Sequence, residues 1–90
     1  MTAGRGLRSQ IRRAAVSVSG NLVEGCARTT RREYARFVEI ALGSASETRY
    51  FLGLAKRLHF LDADVLVARY DGLIKGLQVL LQSLVPRPEA

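Results

Sequence analysis

An all-α, antiparallel up-and-down helical bundle is the fold class this sequence predicts. Apolar residues recur at helical spacing along almost the whole chain, the stretches between these patterns are short, and both prolines, Pro86 and Pro88, stand at the very end. The 90 residues predict a single domain over 1–90. The apolar share of 48% with 24% charged residues is that of a globular chain rather than a disordered one.

Three helices are expected, over about 6–24, 30–58 and 62–85. In the first, Leu7, Ile11, Ala14, Val18 and Leu22 fall on one face, and Gly25 is expected to stop the helix just past its end. The second opens with Thr30-Arg31-Arg32-Glu33, a capping-box pattern in which Thr30 bonds the Glu33 amide and Glu33 reaches back. Its stripe runs through Tyr34, Phe37, Ala41, Ala45, Thr48, Leu52 and Ala55. A second apolar stripe, Ile40, Phe51, Leu54 and Leu58, lies about 100° away on the same helix. The third helix is expected to start at Asp62 as N-cap, and Leu66, Tyr70, Leu73, Leu77, Leu80 and Leu84 form a heptad seam. Two stripes on one helix call for two neighbours. Ile40, Phe51, Leu54 and Leu58 are therefore the expected oligomer interface, with the small run Gly43-Ser44-Ala45-Ser46 allowing close approach; a wide buried face within one bundle is the competing explanation.

Charge is one-sided. Residues 1–36 hold eight arginines against Glu24 and Glu33, a net +6, while residues 37–90 hold six bases and six acids. Such asymmetry points to a polyanionic partner, RNA or DNA first; a solvated basic face is the competing explanation. Arg5, Arg8, Arg12 and Arg13 on the first helix, with Arg28, Arg31 and Arg32 around the second helix start, are the candidate nucleic-acid-binding residues. Guanidinium forks suit phosphate oxygens, so binding should be directed at the backbone and tolerant of sequence.

Enzyme chemistry finds no support. A single histidine, His59, sits at a helix end, and a single cysteine, Cys26, has no histidine nearby in the sequence to activate it; Cys26 is expected to be a small buried hydrophobe. One Cys and one His exclude an internal disulfide and an ordinary structural zinc site, so no catalytic residue, metal or cofactor is expected. No apolar run approaches the ~18 residues of a membrane span, and the N-terminus has no apolar signal core. A cytoplasmic protein without a membrane partner is the expectation.

Two segments carry a resemblance. Ser9-Gln10-Ile11-Arg12-Arg13-Ala14-Ala15-Val16-Ser17, followed by Asn21-Leu22-Val23-Glu24-Gly25 and Arg28, closely resembles the signature of the 23S rRNA intervening-sequence proteins. Phe37 and Ile40-Ala41-Leu42-Gly43-Ser44-Ala45-Ser46-Glu47 are similar to that family's other characteristic segment. The resemblance covers roughly residues 7–85. It implies a four-helix-bundle protomer that assembles into a homopentameric barrel. It also implies kinship with the accessory variability determinant of diversity-generating retroelements, a basic pentamer that binds a reverse transcriptase and nucleic acid. Members of the family usually carry a full helix before the Gln-Ile-Arg-Arg-Ala segment. Here only Met1 to Gly6 precede it, so the first helix is expected to be missing or truncated. Within the motif, Asn21, Glu24, Gly25, Ser44 and Glu47 are expected to be structural, with Glu24 near Arg28 and Glu47 in an ion pair within or between subunits. The function expected is that of a non-catalytic basic oligomer, accessory to nucleic acid or to a nucleic-acid enzyme; the alternative is a protein-interaction module.

Overall fold

In a computed structural model, residues 3–85 are described, with side-chain surroundings from Gly6 onward. They form three helices and, among the described residues, no strand: α1 (Ala3–Cys26), α2 (Arg31–Arg57) and α3 (Asp64–Leu84). The cross-helix pairs give the topology. Ser17 meets Ser44, and Gly25 meets Phe37, so partners on α1 and α2 have nearly constant residue-number sums, as antiparallel helices require. Arg49 pairs with Asp71 and Lys56 with Asp64, the same signature for α2 and α3. Each connection is short, and the bundle runs up, down and up.

The packing is open on one side. α1 and α3 both pack on α2, but no Cα of α1 comes within 8 Å of one in α3. The molecule is correspondingly long and thin, 50 × 26 × 17 Å, with a radius of gyration of 15.1 Å against about 12 Å for a compact domain of this length. Its surface of 6635 Å² exceeds by more than 1,000 Å² the roughly 5,200 Å² typical of its mass. Val18, Val38, Ala41, Ala45 and Leu77 make the core, flanked by half-buried Leu22, Leu73, Leu80 and Leu84. Only Leu77 of α3 is fully buried, and the seam residue Leu66 stays 43% exposed, because among the described residues no helix covers the far side of α3.

Local signals are realised with four corrections. Thr30 caps α2, accepting the Glu33 amide at 3.1 Å. The Glu33 carboxylate accepts the Thr30 hydroxyl at 3.0 Å rather than reaching the Thr30 amide. Gly25 does not stop α1, which runs on to Cys26; a Cβ there would stand 3.0 Å from both Phe37 Cβ and Tyr34 Cδ1, so the glycine serves close helix approach. Cys26 is exposed, not buried: it is the last residue of α1 and borders an open groove with Thr30, Arg31 and Tyr34 at the start of α2. Asp62 is not the N-cap of α3: Ala63 takes that place without a side-chain bond, and Ala63 itself is 99% buried.

The end of α2 is built differently from what its sequence suggests. His59 adopts φ 61°, its amide bonds Lys56 O at 3.0 Å, and the Phe60 amide bonds Ala55 O at 2.9 Å. These two bonds are a Schellman cap, with histidine in the left-handed place that glycine usually fills.

Candidate nucleic-acid interface

The predicted arginines fall into two groups at opposite ends of the α1–α2 hairpin. Arg8, Arg12 and Arg13 are exposed on the N-terminal half of α1. Arg5 belongs to α1, but its side chain lies outside the described residues. Arg28, Arg31 and Arg32, also exposed, surround the turn from α1 into α2. From Arg8 to the end of α1 at Cys26, beside Arg28, is about 27 Å along a helix rising 1.5 Å per residue. The basic block of the sequence is therefore two sites, not one.

The two sites differ chemically. Arg28 is already engaged: Nη2 donates to Glu24 Oε1 at 3.0 Å, Nε donates to Glu24 O at 3.3 Å, and the guanidinium stands 5.4 Å from the centre of the Phe37 ring. Arg31 and Arg32 border a groove with Ala35, Leu84 and Val85. Their charge opposes the dipole of their own helix, yet it stands beside the C-terminus of α3, whose last turn holds no base. Part of this second cluster thus has a structural role. Among the described residues the ion pairs are Arg28–Glu24, Arg49–Asp71 and Lys56–Asp64, and Arg8, Arg12, Arg13, Arg31 and Arg32 join none of them.

The remaining motif residues occupy the α1–α2 interface or its margins. The Ser17 and Ser44 hydroxyls share a hydrogen bond of 2.8 Å, and Asn21 Nδ2 donates to Ser17 O at 2.8 Å and to Ser17 Oγ at 3.0 Å. Buried Thr48 donates to Ser44 O at 2.8 Å. Asn21 and Ser44 thus satisfy polar groups where two helices approach closely, and Ser17, the last residue of the first signature segment, joins them. Glu47 is exposed and has no ion-pair partner among the described residues. Of the second stripe, Ile40 and Leu58 are exposed and Phe51 and Leu54 half-buried.

A further apolar surface was hidden by the break in periodicity after α2. Phe60 and Leu61, 50% and 44% exposed, close a cleft of about 230 Å³ with Leu7, Arg8, Ile11 and Ala55. Next to it, Lys56, His59 and Asp62 line a second groove. There the Lys56 ammonium donates to Asp64, and that hydrogen bond with the Asp64 charge raises the Lys56 pKa above its ordinary value.

Among the described residues, no group of three His, Cys, Asp or Glu is placed to hold a metal ion, and no helix is long and apolar enough to cross a membrane. No curated protein and no solved structure matches the chain significantly. The sequence model of the 23S rRNA-intervening sequence protein does match it, over residues 2–82, and takes in both motif segments and all the helix pairings described. The chain belongs to the 23S rRNA-intervening sequence protein family.

Proposed function

We propose that this protein is a non-catalytic, self-associating helical bundle that grips the phosphate backbone of RNA or DNA, as an accessory to a nucleic-acid process. One observation carries the reading. Arg8, Arg12, Arg13, Arg31 and Arg32 stand exposed without a carboxylate partner among the described residues, on the part of the chain that carries its whole net charge of +6. Unpaired guanidinium groups on rigid helices are preorganised for phosphate oxygens. The half-covered α3, the surface excess and the exposed Ile40 and Leu58 support self-association. In this reading the copies form a homopentamer, the site is cytoplasmic, and a fourth helix or a neighbouring copy completes the bundle. A reverse transcriptase is the protein partner that kinship with retroelement accessory proteins suggests.

A second reading has its own observation. Arg31 and Arg32 beside the C-terminus of α3, and Arg28 on Glu24 and Phe37, show basic residues with intramolecular roles. A protein-interaction module with incidental charge follows from that. Changing Arg8, Arg12 and Arg13 together to Gln separates the two. The phosphate reading expects the triple variant to elute from an RNA or DNA column at clearly lower salt than the wild type while keeping its helicity and mass. Wild-type protein that is not retained at that salt would leave the interaction module in its place.

A further inference from the structure

The two arginine clusters have different aromatic company. At the α1–α2 turn, Tyr34 and Phe37 are half-buried against Gly25, and the Phe37 ring already lies under Arg28. Both are less exposed than Phe60, although Tyr34 also borders a groove with Arg28 and Arg31. At the other end, Phe60 is half exposed and shares its cleft with Arg8 as the only charged lining residue. The walls are otherwise the apolar side chains of Leu7, Ile11, Ala55 and Leu61. The Schellman bonds from His59 and Phe60 fix the Phe60 backbone to the last turn of α2, so the ring springs from an anchored position rather than from a free loop.

We infer that this cleft takes one unpaired base of a single strand, stacked on Phe60, with the adjoining phosphate on Arg8. The inference rests on the phosphate-binding reading and adds to it the state of the nucleic acid. A base has flat apolar faces, a polar edge and an anionic phosphate attached. The cleft supplies apolar walls, an open side that leaves the edge in water, and a guanidinium at its lip. At about 230 Å³ it is smaller than the roughly 300–1,000 Å³ of pockets for drug-sized ligands, and it suits one flat ring system. Arg12, one turn along α1, extends the positive lip to the next phosphate, whereas Lys56 in the neighbouring groove is neutralised by Asp64. A base stacked within a duplex cannot enter. No donor or acceptor pattern is aimed at the base edge, so the site distinguishes unpaired from paired strands without reading sequence.

The test measures fluorescence anisotropy with three labelled probes at one salt concentration: oligothymidylate, a fully abasic strand of equal length, and a duplex. Stacking of one base changes affinity by roughly fivefold or more. The wild type should therefore bind oligothymidylate at least fivefold more tightly than the abasic strand. Phe60→Leu keeps an apolar side chain under the cap. It should remove that difference and leave duplex binding as it was. Equal wild-type affinity for the thymidylate and abasic strands would overturn the base-stacking cleft and leave the phosphate reading standing, as would an unchanged ratio in Phe60→Leu. Failure to bind any of the three at about 50 mM salt would overturn both.

Discussion

Gly20 and Gly25 lie five residues apart on α1, and the same substitution should act on them with opposite sign. A Cβ at Gly20 meets nothing within 4 Å. Replacing a mid-helix glycine by alanine in open space recovers roughly 0.5–1 kcal/mol of backbone entropy and propensity. At Gly25 the new Cβ would stand 3.0 Å from Phe37 Cβ and from Tyr34 Cδ1. Carbon atoms in comfortable contact are about 3.5–4.0 Å apart, so α2 must retreat by roughly 0.5–1 Å. Phe37 Cβ is fixed to its backbone and cannot swing away. Overpacking of this kind costs about 1–3 kcal/mol, more than the propensity gained near a helix end. For a domain of this size 1 kcal/mol moves the melting temperature by about 4–8 °C. Gly20→Ala should therefore melt roughly 2–8 °C above the wild type and Gly25→Ala several degrees below it, read by circular dichroism. If Gly25→Ala is as stable as Gly20→Ala, the close approach of α1 to α2 is not what that glycine serves.

Three further outcomes follow from the same geometry. His59→Gly should raise stability by about 1 kcal/mol in chemical denaturation, because glycine holds φ 61° without the Cβ penalty; a loss would mean that the imidazole itself supports the cap. Lys56 has a pKa raised by its bond to Asp64 above the ordinary 10.5, so the pair contributes stability that is fully present below pH 10.5 and fades as the pH climbs through the raised value. The melting temperatures of wild type and Lys56→Met should therefore converge at high pH, and a gap that instead widens with pH would contradict this sign. Light scattering at micromolar concentration should give a mass several times 9.9 kDa, lowered by Ile40→Asp or Leu58→Asp; a wild-type mass of one chain would remove the assembly argument.

Helix number and approximate placement were legible because Leu7 to Leu22, Tyr34 to Ala55 and Leu66 to Leu84 repeat at helical intervals, and the capping box named the start of α2 at Thr30. What failed was local. Glycine 25 reads as a helix stop in one dimension, but its use is the distance to Phe37 on another helix, which periodicity does not contain. Asp62 has the chemistry of a cap, yet burial of Ala63 sets the start of α3 one residue later. The arginine surplus was plain in the sequence. So were its two locations, on the first helix and around the start of the second; the structure adds that Arg8 lies near one end of α1 and Arg28 just past the other. The Phe60–Leu61 cleft was invisible: its floor comes from Leu7 and Ile11, about fifty residues away, and only antiparallel pairing brings them to the end of α2.

The central claim is that exposed arginines on this bundle hold nucleic-acid phosphates, and the salt dependence of binding tests it most directly. Each neutralised phosphate contributes roughly −0.7 to −0.9 to the slope of log affinity against log salt. Four to six contacts for an engaged surface give a slope of about −3 to −5 for the wild type, and the Arg8→Gln, Arg12→Gln, Arg13→Gln variant should flatten it by two to three contacts' worth. A slope near zero, or one that the triple variant leaves unchanged, would contradict the account.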